Sequence, residues 1–137
     1  MSSVVLLITM SISAQKVEIS GLPDPALVFI EKYFPGVPVI KAKKDVDEGQ
    51  KGYKVMLANG VSIGFGKDGV YRKVDGNDKP IPTDYINPKI VGYVKSHYPE
   101  QRITSIDYRK KSVDVDLTGK IDLEFTKDGT LIRGKKK

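Results

Sequence analysis

Four acidic side chains fall two residues apart in two short alternating runs. Asp114 and Asp116 sit in Val113-Asp114-Val115-Asp116-Leu117, and Asp122 and Glu124 in Ile121-Asp122-Leu123-Glu124-Phe125. Alternation with period two belongs to half-buried strands, so each run turns its carboxylates to one face and its apolar residues to the other. If Leu117 faces Ile121 across a three-residue turn, Asp116 lies opposite Asp122 and Asp114 opposite Glu124. Like charges opposed in this way cost from a fraction of a kcal/mol to about 1 kcal/mol per pair. The arrangement therefore needs either neutralising cations, for which Arg109, Lys110 and Lys127 are candidates, or a use. An equivalent run earlier in the chain has Lys54, Met56, Ser62 and Gly64 at the matching positions, with Lys41 and Lys43 on the strand before it. One sheet face is thus expected to be acidic in one half and basic in the other. Such a face steers and docks a partner of complementary charge. A carboxylate cluster can also hold Ca²⁺, but no loop here has the EF-hand order of ligands.

Catalytic chemistry finds less support. His97 is the only histidine, and the chain has no cysteine. A histidine at the end of a helix more often interacts with the helix dipole than acts as a general base. Ser62, Ser96 and Ser105 have no nearby base implied by sequence, and no nucleophile elbow, phosphate loop or histidine-rich metal motif occurs. The net charge of +6 invites nucleic acid, but the basic residues are scattered over the chain and share the sheet with acids.

The elements that must position these residues are written twice. The apolar stretch ending Ile30-Glu31-Lys32-Tyr33-Phe34-Pro35 returns as Val94-Lys95-Ser96-His97-Tyr98-Pro99, and Phe65-Gly66-Lys67-Asp68-Gly69 returns as Phe125-Thr126-Lys127-Asp128-Gly129. The first shift is four residues longer than the second. The difference is absorbed after Lys44 by the extra polar run Asp47-Glu48-Gly49-Gln50. Each copy opens with a helix whose stripe is Ala26, Leu27, Ile30, Tyr33 and Phe34, or Ile90, Val91, Val94 and Tyr98. Asp24 with Pro25, and Asn87 with Pro88, are suited to start the helices. Strands follow at about 39–45, 53–58, 61–65 and 70–75, and again at about 103–109, 113–117, 121–125 and 130–133. Asn59-Gly60 and the two Lys-Asp-Gly triplets mark turns, while Gly119-Lys120 suggests that the second hairpin turns differently. The expected class is α+β, two tandem repeats of one helix and a four-stranded antiparallel meander, with the helices on one face and the opposite face free. Whether the two sheets join is left open by sequence.

A unit of roughly 60 residues buries too little surface to be comfortable alone, so the two copies are expected to form one cooperative domain. The organisation reads as a signal peptide at 1–14, a linker at 15–21, repeat 1 at 22–76, a connector at 77–80, repeat 2 at 81–133 and a basic tail at 134–137. The uncharged apolar run Val4–Met10 followed by a polar switch at Gln15-Lys16 has the look of an export signal, although no positive residue precedes it. It is too short to span a bilayer. The basic end Arg133-Gly134-Lys135-Lys136-Lys137 reads as a frayed, solvated terminus.

A helix ending in aromatic-Pro, an alternating hairpin with Asn-Gly and a Phe-x-Lys-Asp-Gly turn, in tandem over nearly all of residues 22 to 133, resemble the PepSY-like exported proteins of Bacteroidetes. In that family the repeat is similar to the tandem modules of the β-lactamase inhibitor protein. The resemblance implies a periplasmic or secreted location and a binding or inhibitory role by fold analogy; together with the charged sheet face and the missing catalytic motifs, the expectation is a noncatalytic module without cofactor or metal that docks a protein or peptide on that face. The expected docking residues are Lys41, Lys43, Lys54, Met56, Asp114, Asp116, Asp122 and Glu124. A homodimer would satisfy the same charges. Binding of envelope polysaccharide or another anionic surface, or an unrecognised hydrolase, are the alternatives; neither nucleic acid nor an integral membrane position is expected.

Overall fold

A computed structural model describes residues 18–136, and among them two helices and eight strands form an α+β fold. After a 3-10 turn at Ile19–Gly21 come α1 (Asp24–Tyr33), β1 (Val39–Asp47), β2 (Gln50–Leu57), β3 (Ser62–Gly66) and β4 (Tyr71–Asp75). Then follow α2 (Pro88–His97), β5 (Ile103–Tyr108), β6 (Val113–Leu117), β7 (Ile121–Phe125) and β8 (Leu131–Lys136). Every strand pairs antiparallel with its chain neighbour, so the spatial order is β1 through β8. The sheet is continuous. Its halves meet where β4 pairs with β5 through Lys73↔Asp107, Val74↔Ile106 and Asp75↔Ser105. The segment read as an export signal lies outside the described residues.

The period-two pattern of the sequence becomes rows across the sheet. One row runs Ala42, Val55, Ile63, Val74, Ile106, Val115, Leu123 and Gly134, one residue per strand. Each member through Leu123 is buried. Ala26, Ile30 and Phe34 of the first helical segment and Ile90 and Val94 of the second join the same cluster. Full burial of such side chains is worth about 1.5–3 kcal/mol each, which is what holds both helices to this face. Aromatic edges fix their positions. Phe29 meets Phe65 edge-on at 5.8 Å and stacks on Tyr71 at 4.9 Å, while Tyr93 meets Phe125 edge-on at 5.6 Å. At the seam the Tyr71 hydroxyl donates to the Tyr85 carbonyl at 3.1 Å and lies 3.4 Å from the Tyr108 hydroxyl. Burial pushes the Tyr71 and Tyr85 phenols up, so both stay neutral; the Tyr71 hydroxyl donates, while the Tyr85 hydroxyl is buried without a hydrogen-bond partner.

The helix starts differ from one another. Asn87 Oδ1 accepts the Lys89 amide at 2.9 Å and caps α2 as expected. Asp24 makes no cap. It already has helical geometry as the first residue of α1, with Pro23 in the flanking position, so its carboxylate complements the dipole of the first turn instead. The Lys-Asp-Gly turns butt against these helix starts. Gly69 and Gly129 have φ of +84° and +96°, and an added Cβ would come within 2.8 Å of Pro23 and 2.9 Å of Lys89 respectively. The second hairpin does turn differently. Gly60 alone is left-handed in the first, whereas Gly119 and Lys120 both are in the second.

The basic end is not frayed through Lys136. It is the outer strand β8, where Lys135 pairs with Asp122 and Lys136 with Ile121. Backbone pairing to β7, with a cation placed opposite a carboxylate, outweighs the entropy of a loose end. At the other margin β1 is interrupted by a bulge between Val39 and Lys41, which throws Ile40 outward to 66% exposure.

Candidate functional site

The sheet face away from the helices carries two charged rows. One reads Lys41, Met56, Ser62, Asp75, Ser105, Asp116, Asp122, Lys135; the next reads Lys43, Lys54, Gly64, Lys73, Asp107, Asp114, Glu124, Arg133. All eight residues expected at a docking site lie in these rows. Lys41, Lys43, Lys54 and Met56 are together on β1 and β2, and Asp114, Asp116, Asp122 and Glu124 on β6 and β7. Asp114 pairs with Glu124 and Asp116 with Asp122.

Three carboxylates occupy consecutive positions in the second row: Asp107, Asp114 and Glu124. Partial burial holds the Asp114 carboxyl above the usual carboxylate range, and the Glu124 charge adds to the shift. Asp107 is only 9% exposed. Burial raises its pKa as well, opposed by the Lys73 ammonium at 4.0 Å and the Arg109 guanidinium at 3.3 Å. Elsewhere Glu124 pairs with Arg133, and Ser105 Oγ donates to Asp116 Oδ2 at 3.0 Å. Of the neutralising cations expected, Arg109 forms its ion pairs with Glu48 and Asp107, and Lys110 gives its backbone amide to Glu48. Arg133, not foreseen as a counterion, pairs with the acidic cluster directly.

This face is not wholly free, which corrects the expectation of an uncovered side. The four residues that lengthen the first copy form the tip of the β1–β2 hairpin, and Glu48 at that tip reaches the turn after β5. There its carboxylate lies 3.3 Å from Arg109 Nε and accepts the Lys110 amide at 3.1 Å. β2 and β5 stand three strand spacings apart, roughly 14 Å, so the hairpin must arch over the sheet to make this contact. Where β2 leaves β3 toward the arch, Gly52 pairs with Gly66 and the backbones come close. A Cβ at Gly52 would lie 2.0 Å from the Phe65 carbonyl oxygen and 2.6 Å from Arg72 Nη2. Arg72 braces the arch by donating to Gln50 Oε1 at 3.2 Å and to the Phe65 oxygen at 3.4 Å. Beneath the arch is a polar cavity of about 150 Å³. On the outer side of the hairpin a groove of about 610 Å³ is lined by Lys44, Lys51, Lys67, Val46 and Tyr53, with Asp45 and Gly52.

The sequence marks Asp47–Gln50 as an insertion but carries no signal that its tip ties the two halves together. Asp107 and Lys73 were also missed, because only the β4–β5 pairing brings them side by side. Among the described residues no group of three or more His, Asp or Glu is placed to hold a metal ion. His97 is exposed, stacked on Tyr93 at 4.0 Å with Nδ1 3.1 Å from the Tyr93 carbonyl, an arrangement that fits the end of α2. No helix among the described residues is long and apolar enough to cross a membrane.

A family model described as beta-lactamase-inhibitor-like, PepSY-like matches residues 51–133. Among solved structures, a Bacteroides thetaiotaomicron protein described as calcium-regulated and periplasmic is 29% identical, with a TM-score of 0.82 over 88% of this chain and 95% of that one. A periplasmic protein of the DUF2874 family from Bacteroides vulgatus is 26% identical, with a TM-score of 0.83 over the same shares. A second B. vulgatus periplasmic protein, of unknown function, shares the fold at 24% identity and a TM-score of 0.79 over 86% of this chain and 94% of that one. No curated protein matches. The location of the chain is that of these relatives, periplasmic.

Proposed function

This chain belongs to the PepSY-like, beta-lactamase-inhibitor-like family, and from that premise we propose that it is a noncatalytic binding module. Its acidic half-face docks a basic segment of a protein or peptide partner, and inhibition of that partner is the form the family likeness suggests. The observation that carries the reading is the run of Asp107, Asp114 and Glu124 in one row beside the facing pair Asp116 and Asp122. Partial burial and like-charge crowding disfavour the ionised form of Asp114, and an incoming Lys or Arg relieves that. The arch over the basic half leaves β6 and β7 as the side open to a macromolecule. The tandem-repeat reading is supported by the recurrence of bulges at Val39/Lys41 and Ile103/Ser105, and at Gly64/Phe65 and Glu124/Phe125.

Fluorescence titration with Lys/Arg-rich and Asp/Glu-rich peptides tests this. Basic peptides should bind in a salt-sensitive way, and joint charge reversal at Asp114, Asp116, Asp122 and Glu124 should abolish it. Equal binding of both peptide classes, or indifference to reversal, excludes docking at this face. A second reading, capture of an anionic polysaccharide, is favoured by one observation: three lysines ring Tyr53 and Val46 in the outer groove. The calcium regulation named for the B. thetaiotaomicron relative is not transferred, since no metal cage forms among the described residues.

A further inference from the structure

We propose that the cavity under the β1–β2 arch binds a small zwitterion of free amino-acid size, at a site separate from the acidic docking half. Its volume of about 150 Å³ is well below the ~300–1,000 Å³ of pockets that take drug-sized ligands. The floor is a notch. Gly64 lies between Lys54 and Lys73 in one row, so a missing side chain is flanked by two ammonium-bearing ones. Asp45 and Asp47 on the arching part of β1 face this floor, and Arg72 and Asp75 belong to the β4 wall.

The charges decide the ligand class. Lys54, Arg72 and Lys73 share the lining with Asp45, Asp47 and Asp75, so cationic and anionic groups are present in equal number. A phosphate or a divalent cation would satisfy the groups of one sign and set its multiple charge beside the groups of its own sign in a partly enclosed space, which is costly. A molecule carrying one carboxylate and one ammonium matches the lining.

Part of the site is already fixed in place. Asp75 Oδ1 accepts the Asn77 amide at 2.9 Å, Arg72 braces the arch, and Lys73 lies 4.0 Å from Asp107. Other lining groups are not committed. The ion pairs among the described residues include neither Lys54, Asp45 nor Asp47, and the buried Nε of Arg72 has no hydrogen-bond partner. A ligand carboxylate over Gly64 takes Lys54 and Lys73, and its ammonium takes Asp45 and Asp47.

The decisive variant is Gly64→Val. A Cβ at this position rests at an ordinary 3.5 Å from Lys73 Cβ, and valine suits a strand, so the notch is filled without breaking the sheet. The full chain is titrated with glycine, L-alanine and L-serine, and with acetate, methylamine, N-acetylglycine and glycinamide as single-charge analogues, following backbone amide shifts by NMR. The amino acids should give saturable shifts around residues 45–47, 54 and 62–64. Single-charge analogues and Lys54→Met should weaken binding by at least ~10-fold, the scale of one charged hydrogen bond. Gly64→Val should abolish it while keeping its melting temperature. No saturation by any of the amino acids, equal affinity for glycine and acetate, or undiminished binding by Gly64→Val or Lys54→Met overturns the proposal.

Discussion

Replacing Asp114 with Asn should make the protein more stable. Asp114 is the middle carboxylate of three, opposite Asp107 on one side and Glu124 on the other. Each like-charged cross-strand pair costs ~0.2–1 kcal/mol. The Arg109 charge returns part of that, leaving a net gain of ~1 kcal/mol when the central charge is removed. In a domain of this size such a gain raises the melting temperature by ~3–5 °C. The pH dependence has a definite sign. The folded-state pKa of Asp114 is raised above the unfolded value, by burial first and Glu124 second. The ionised group therefore destabilises the fold fully at neutral pH, and the penalty fades as pH falls through the raised value toward the unfolded one of about 4. Calorimetric melts of wild type and Asp114→Asn at neutral and acidic pH, each at low and high salt, measure this. The gain should be largest at neutral pH and low salt and shrink with acid or salt. A variant that melts at or below the wild-type temperature at neutral pH and low salt refutes the reasoning.

Two further outcomes concern the arch. A double-mutant cycle with Glu48→Ala and Arg109→Ala should give a coupling of only ~0.5–1 kcal/mol, because both side chains remain partly exposed at 28% and 42%; zero coupling in urea melts would show that the contact contributes nothing. Gly52→Ala should lower the urea midpoint by the equivalent of ~1–3 kcal/mol, since the added methyl meets a backbone carbonyl that cannot step aside. An unchanged midpoint would mean that the strand pair does not depend on this close approach.

Much of this molecule was legible where one local rule acts alone. Val113, Val115 and Leu117 alternate with acids, and that pattern with a three-residue turn was enough to pair Asp114 with Glu124 and Asp116 with Asp122. Asn87 before Pro88 was enough to place a cap. The misses come where distant segments compete. Asp24 had the right type for a cap, but the helix starts one residue earlier than that role allows. Phe29 stands outside the regular stripe, yet Tyr71 of β4 and Tyr85 of the segment before α2 draw it into their cluster. The reach of Glu48 to Arg109 spans 61 positions of sequence and depends on the hairpin arching over the sheet, which no periodicity encodes. The charge partition of the candidate face was therefore readable, whereas its partial roofing was not.

A sheet that never closes on itself has two raw margins, and copies of a molecule with both available could join end to end into a growing ribbon. Here each margin discourages such joining in its own way. The bulge at Ile40 breaks the regular spacing of the β1 edge, and the β8 edge carries Arg133, Lys135 and Lys136, whose charges would meet their like in a neighbouring β8. Both margins thus disfavour edge-to-edge growth, even where copies of the molecule are crowded together.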